Sequence, residues 1–164
     1  MRRAIQLAAA LLLAVPAAVW GQANQVSANA TVANSAVLSG SGDLSFGTVS
    51  AVTNTVINAA GGAGSAQRSL NYNHNVRVTF TSVPANLTGS GGATLPVALT
   101  CASRIGAAAW SSAVACSSAQ LDLDVGATTT SATLGFGGTI TAANVANAVA
   151  GTYTGTFNIV VTAR

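Results

Sequence analysis

The last stretch of the chain, GTYTGTFNIVVTAR at residues 151–164, decides the fold class. Side chains of an extended strand point alternately to opposite faces. Tyr153, Phe157, Ile159 and Val161 share one face, and Thr152, Thr154, Thr156, Asn158 and Thr162 share the other. A helix would need apolar residues three and four apart, and the run is crowded with β-branched residues that lose rotamer freedom in helices. The reading is a half-buried terminal strand.

The same period recurs upstream. Residues 25–38 alternate Val26, Ala28, Ala30 and Val32 against Ser27, Asn29 and Thr31, which marks a first strand. A glycine-rich turn at 39–43 leads to a second extended run, LSFGTV at 44–49, and then to a short strand within 52–58. Residues 59–67, AAGGAGSAQ, read as a loop. Val76, Val78 and Phe80 alternate with Arg77, Thr79 and Thr81; residues 84–92 read as a turn region. In ATLPVALTC, Leu95, Val97, Leu99 and Cys101 face one way, and Pro96 predicts an edge position or a bulge.

Between the cysteines the residues leave open a loop or a single helical turn. LDLDV groups Leu121, Leu123 and Val125 opposite Asp122 and Asp124. SATLGFGGTITA is a strand expected to break or bend near Gly137 and Gly138, and residues 144–150 connect it to the terminal run. About eight short strands with Gly, Ser and Asn turns and almost no helix predict an all-β chain. The architecture expected is an antiparallel, immunoglobulin-like or pilin-like β-sandwich, with a closed barrel as the alternative. An outer-membrane barrel would need an outward apolar band and aromatic girdles, for which aromatic residues are too few and the strands too short.

The N-terminus has another character. Arg2 and Arg3 precede an apolar run over 4–19 and the small residues Gly21 and Ala23. This is the layout of a secretory signal peptide over residues 1–23, with cleavage after Ala23 or, in competition, after Gly21; the apolar run is shorter than the roughly 20 residues of a bilayer span. Residues 24–164 then form one domain, long enough to bury about two thirds of its unfolded surface. Its charges are Arg68, Arg77, Arg104 and Arg164 against Asp43, Asp122 and Asp124, a net of +1. That balance gives no argument for nucleic acid or an anionic membrane. After signal removal no membrane span is expected, and the location is the periplasm, the cell surface or the medium.

In an oxidising compartment, Cys101 and Cys116 are expected to form a disulfide, stabilising by roughly 3 kcal/mol in the chain-entropy picture. Catalytic constellations are sparse. His74 is the single histidine, and NYNHNV holds no acid to orient it. Asp122 and Asp124 lie two apart on one strand face, which suits a polar exterior better than an acid–base pair or a calcium loop. GFGG at 135–138 lacks the strand–loop–helix setting and the lysine of a phosphate cradle. No catalytic residue, metal or cofactor is therefore assigned. Trp110 in the cystine loop either stacks on a sugar ring or fills the core, and Tyr72 with neighbouring asparagines joins it in the carbohydrate-binding alternative.

Two stretches, DLSFGTV at 43–49 and FGGTITAANVANAVAGTYTGTFNIVVTA at 136–163, resemble the secreted bacterial family known as domain of unknown function 4402. Leu44, Phe46 and Gly47 match its L-x-F-G motif. Gly138, Thr139, Ile140, Gly151, Tyr153, Gly155 and Phe157 match its G-G-T-L and G-x-Y-x-G-x-F pattern. The chain departs from the pattern in its cysteine pair and in ending on Ala163 and Arg164. It also looks somewhat like spore-coat-U-type secreted proteins. The resemblance implies a surface-exposed, fimbria-like sandwich without assigned activity. The expected function is a noncatalytic structural subunit that associates with itself or other surface subunits, with residues 25–38 as a candidate donor strand; a glycan-binding module is the alternative.

Overall fold

A computed structural model describes residues 34–126 and 130–164. The signal segment 1–23 and the candidate donor residues Val26, Ala28, Ala30 and Val32 lie outside the described residues. The described chain is nearly all β, in antiparallel ladders. In order, the strands are β1 (Ala36–Ser39), β2 (Thr55–Ile57), β3 (Ala66–Tyr72), β4 (Val76–Thr81), β5 (Asn86–Gly89), β6 (Thr94–Pro96), β7 (Ala98–Ile105), β8 (Val114–Ala115), β9 (Gln120–Leu123), β10 (Ser131–Ile140), β11 (Tyr153–Thr154) and β12 (Asn158–Ala163). One short helix, α1 (Ala142–Ala146), joins β10 to β11; its N-cap Thr141 accepts from the Asn144 N–H.

One layer has the order β1-β3-β10-β7-β8, with β2 extending the β3 side of β10. The other layer consists of two ladders laid end to end, β12-β4-β9 and β11-β5-β6. They belong together because β4 and β12 pair down to Thr81↔Asn158, and β5 and β11 resume at Thr88↔Thr154. At the interruption Ser82 takes a left-handed φ of 56°. The core between the layers is built from the inward faces that the alternation selects: Leu70 and Tyr72 of β3, Val76, Val78 and Phe80 of β4, and Ala132, Leu134, Phe136 and Ile140 of β10. Phe80, Phe136 and Phe157 meet edge to face at its centre, with centroids 5.4–6.4 Å apart.

Cys101 of β7 and Cys116 form the expected disulfide inside this core. Its loop is neither plain coil nor a helix: β7 continues to Ile105, β8 returns to pair with it, and a short 3-10 turn begins at Cys116. ATLPVALTC is two strands in different layers, with Pro96 closing β6 and the chain crossing at buried Val97. The edge position predicted for Pro96 is present, since among the described residues β6 pairs only with β5.

Four local expectations are overturned, and a fifth is shortened. Residues 44–49 are not a strand. The region 84–92 contains β5, which pairs on both sides. The loop expected at 59–67 is present over 59–65, and its last two residues begin β3, a long central strand whose inward row of Ala66, Arg68, Leu70 and Tyr72 is masked by a small residue and a charge. The terminal run is interrupted at 155–157 between β11 and β12. Finally, β10 runs unbroken through Gly137 and Gly138. Those glycines, with Gly135, serve close approach: a Cβ at Gly137 would lie 2.5 Å from Ala59 N and closer to Ile57 O, where the chain leaving β2 crosses the strand.

Candidate functional site

The two layers are not closed on the side where their outer edges face each other. One wall is the irregular segment 43–49 that follows β1; the other is the run from Ala148 to Ile159, which includes β11. Between them lies a groove of about 1040 Å³. Its floor is the core itself: Leu87, Leu95, Leu99, Phe136 and Ile140.

Most residues of the two sequence motifs meet here. Leu44, Phe46 and Gly47 line one wall, and Gly151, Tyr153, Gly155 and Phe157 line the other. Gly138 joins them from beneath, because a Cβ there would sit 3.1 Å from the Phe46 ring and closer to Ala98 O. Gly47 has φ 61°, a conformation glycine adopts without penalty. Tyr153 lays its ring over Gly89 of the paired strand and donates its hydroxyl proton to Val149 O at 2.6 Å. At Gly155 a Cβ would crowd Leu87 and Pro84. Nothing in the structure explains a glycine at 151, where the surrounding space is open.

Among the described residues, segment 43–49 makes one backbone–backbone hydrogen bond, Ser45 N–H to Gly64 O at 2.8 Å, and belongs to no ladder. Residues 155–157 belong to none either. Half-buried Leu44, Phe46, Val49, Val145, Phe157 and Ile159 face the space between. The groove thus presents an apolar floor between two stretches that lie outside the ladders of the described residues. Charge is confined to one end, where Arg68 donates to Gly42 O and Gln67 O.

The other singled-out residues lie elsewhere. His74 is half-buried, with Nδ1 3.1 Å from Asn73 Oδ1. Asp122 and Asp124 stand on the outer face with arginines: Arg77 Nε is 2.7 Å from Asp122, Arg164 Nη1 is 2.8 Å from it, and Arg164 also pairs with Asp124. The hydrogen bond from Arg77, aided by Arg164, pulls the Asp122 carboxyl down to about 2. Among the described residues no group of three or more His, Cys, Asp or Glu could hold a metal ion.

Trp110 is half-buried, its ring edge against Gly135 of β10 and the Arg104 guanidinium 5.0 Å from its centroid. One face of the ring is therefore already occupied by a cation. Tyr72 is 2% exposed and faces the core, where its hydroxyl has no hydrogen-bond partner among the described residues. Burial, with the Asp124 charge, pushes its pKa up.

Among the groove residues, sequence reasoning missed Leu87, Val145 and Ala148. The available signal was the N-cap Thr141 ahead of an alanine-rich turn, which predicts a short helix. No helix of the described residues is long and apolar enough to cross a membrane. Comparison with protein-family models, with curated proteins and with solved structures finds no match to this chain.

Proposed function

We propose that this chain is a noncatalytic, exported structural subunit, a fimbria-like surface protein that assembles by β-strand pairing. The observation that carries this reading is the groove, where an apolar floor lies between segment 43–49 and residues 155–157, neither of which belongs to a ladder of the described residues. Such an arrangement recognises an extended chain, through main-chain hydrogen bonds and side-chain contacts on alternate residues. A small-molecule site more often combines roughly 300–1,000 Å³ with a few convergent polar groups. This groove, at about 1040 Å³, lies just above that range.

Three further features support the reading. The N-terminal layout predicts export, the buried disulfide suits an oxidising compartment, and the exterior is neutral and rich in Ser, Thr and Asn. The two stretches resembling the domain of unknown function 4402 family supply both groove walls.

The test deletes residues 24–33 from the exported chain and follows its mass by light scattering as concentration rises. Assembly of the undeleted chain, lost on deletion, supports the proposal. A chain that stays monomeric at every concentration, and that unfolds when shortened, would show the segment pairing within its own domain.

A further inference from the structure

We propose that the outer face of the sheet β1-β3-β10-β7 binds a carboxylate-bearing polysaccharide, a polymer of uronic acids, with Arg104 as its anion contact. The site is separate from the groove and does not depend on the assembly reading. Strand register places Ser39, Ser69, Thr133 and Arg104 in one row across four neighbouring strands: Ser39 opposite Ser69, Ser69 opposite Thr133, and Thr133 opposite Arg104. Their chain neighbours Leu38, Leu70, Ala132 and Leu134 belong to the core or pack against it, so the alternation turns the row outward. Three strand spacings of about 4.8 Å make the row about 14 Å long, room for a short run of sugar rings.

Arg104 supplies the charge of this face. Arg77 and Arg164 are paired with Asp122 and Asp124, and Arg68 donates to two carbonyls. Among the described residues Arg104 forms neither an ion pair nor a hydrogen bond, and its Nε is buried without a partner. Its guanidinium lies over the Trp110 ring, 5.0 Å from the centroid. The ring attracts the charge but offers no lone pair, so the terminal N–H groups keep their hydrogen-bonding capacity. With Nε closed off, the two terminal nitrogens remain for a carboxylate, which takes two parallel hydrogen bonds from such a fork. The aspartates of the chain lie elsewhere, Asp122 and Asp124 on the outer face of the other layer and Asp43 on a groove wall, so no carboxylate of this face opposes an acidic polymer.

Trp110 is itself fixed in place, which makes it a positioning group for the cation. Gly135 leaves room for its ring: a Cβ there would lie 2.9 Å from Trp110 Cζ3 and closer still to Ala59 O. Ser111, the next residue, takes both backbone groups of Ser103: its N–H donates to Ser103 O at 2.7 Å, and its Oγ accepts from the Ser103 N–H at 3.0 Å. The loop is therefore tied to β7 one residue before Arg104. Along the rest of the row, Ser39 and Ser69 are exposed and Thr133 is half-buried, so their hydroxyls can donate to and accept from sugar hydroxyls. A uronic acid carries both chemistries on one ring, a carboxylate for Arg104 and hydroxyls for the row.

Trp110 is the single tryptophan of residues 24–164, so its fluorescence reads the site directly. The exported chain is titrated with a galacturonic acid hexamer, with the same hexamer methyl-esterified at its carboxyls, and with a sulfated hexamer of heparin type, followed by emission and by calorimetry. Saturable binding of the free acid is expected, roughly 10- to 100-fold weaker for the ester and for Arg104→Gln. Arg104→Lys, which keeps the charge and loses the fork, is expected to fall between. Far-ultraviolet circular dichroism checks that each variant keeps the β fold; should one fail to fold, the comparison of acid with ester on the unsubstituted chain decides alone. No saturable binding of the free acid, or equal binding of the acid and its ester, would overturn the proposal. Unchanged affinity in a folded Arg104→Gln would overturn Arg104 as the anion contact, and tighter binding of the sulfated hexamer would overturn the carboxylate as its ligand.

Discussion

Replacing Gly137 with alanine tests whether the crossing of β10 by the chain leaving β2 holds this layer together. The new Cβ would lie 2.5 Å from Ala59 N, with Ile57 O closer still. Carbon contacts settle near 3.5–4.0 Å, so the crossing segment must retreat by roughly 1 Å. Ala59 is 1% exposed beneath its neighbours and cannot move alone. Forced backbone shifts of this kind cost about 1–3 kcal/mol. Loss of the whole β2 ladder, Gly138↔Ile57 to Ile140↔Thr55, falls on the same scale at roughly 1 kcal/mol per hydrogen bond. For a domain of this size that is a fall in melting temperature of about 4–12 °C, read by circular dichroism. The control is Gly151→Ala, where no atom lies within 4 Å of the new Cβ, and which should be neutral or stabilising by a few tenths of a kcal/mol. If Gly137→Ala melted with the control, the close-approach account of these glycines would be wrong.

Other perturbations have equally definite outcomes. Replacing Cys101 and Cys116 together with alanine should lower stability by roughly 3 kcal/mol in denaturant titration, and unchanged unfolding would show that the crosslink is not limiting. The Asp122 carboxyl is held below its unfolded value, so its contribution is complete above the ordinary carboxylate pKa and is lost as pH falls through about 2. Asp122→Asn should therefore flatten the melting temperature between about pH 4 and pH 2, relative to the native chain. Tyr72→Phe removes a buried hydroxyl without a partner among the described residues and should leave the protein equally stable or up to about 1 kcal/mol more stable at neutral pH. Because burial raises the Tyr72 pKa, native stability should fall as pH rises above about 10, and the phenylalanine variant should lose that component of the fall.

The layered β architecture and most inward faces were legible because period-two alternation is strong where Val, Phe and Leu face Thr and Arg, as in β4. Legibility failed where physical requirements compete. In β3, Arg68 occupies an inward position at the groove end and breaks the apolar row. In β10, glycines that read as a bend are demanded by a crossing chain that no local pattern announces. Segment 44–49 has strand-like residues, but its Phe46 is held by Gly138, and the ladder that would make it a strand is missing among the described residues. The cysteine pair was legible from its count, whereas the groove was not. Its floor and walls come from many separate stretches of sequence, and only tertiary folding brings the two motifs together.

The most direct measurement of the central claim is amide hydrogen exchange at residues 44–49 and 155–157, compared between the chain of residues 24–164 and the same chain lacking 24–33. The account predicts slow exchange along both groove walls only when residues 24–33 are present, because the incoming strand bonds to those peptide groups. Equal and rapid exchange in both proteins would contradict it.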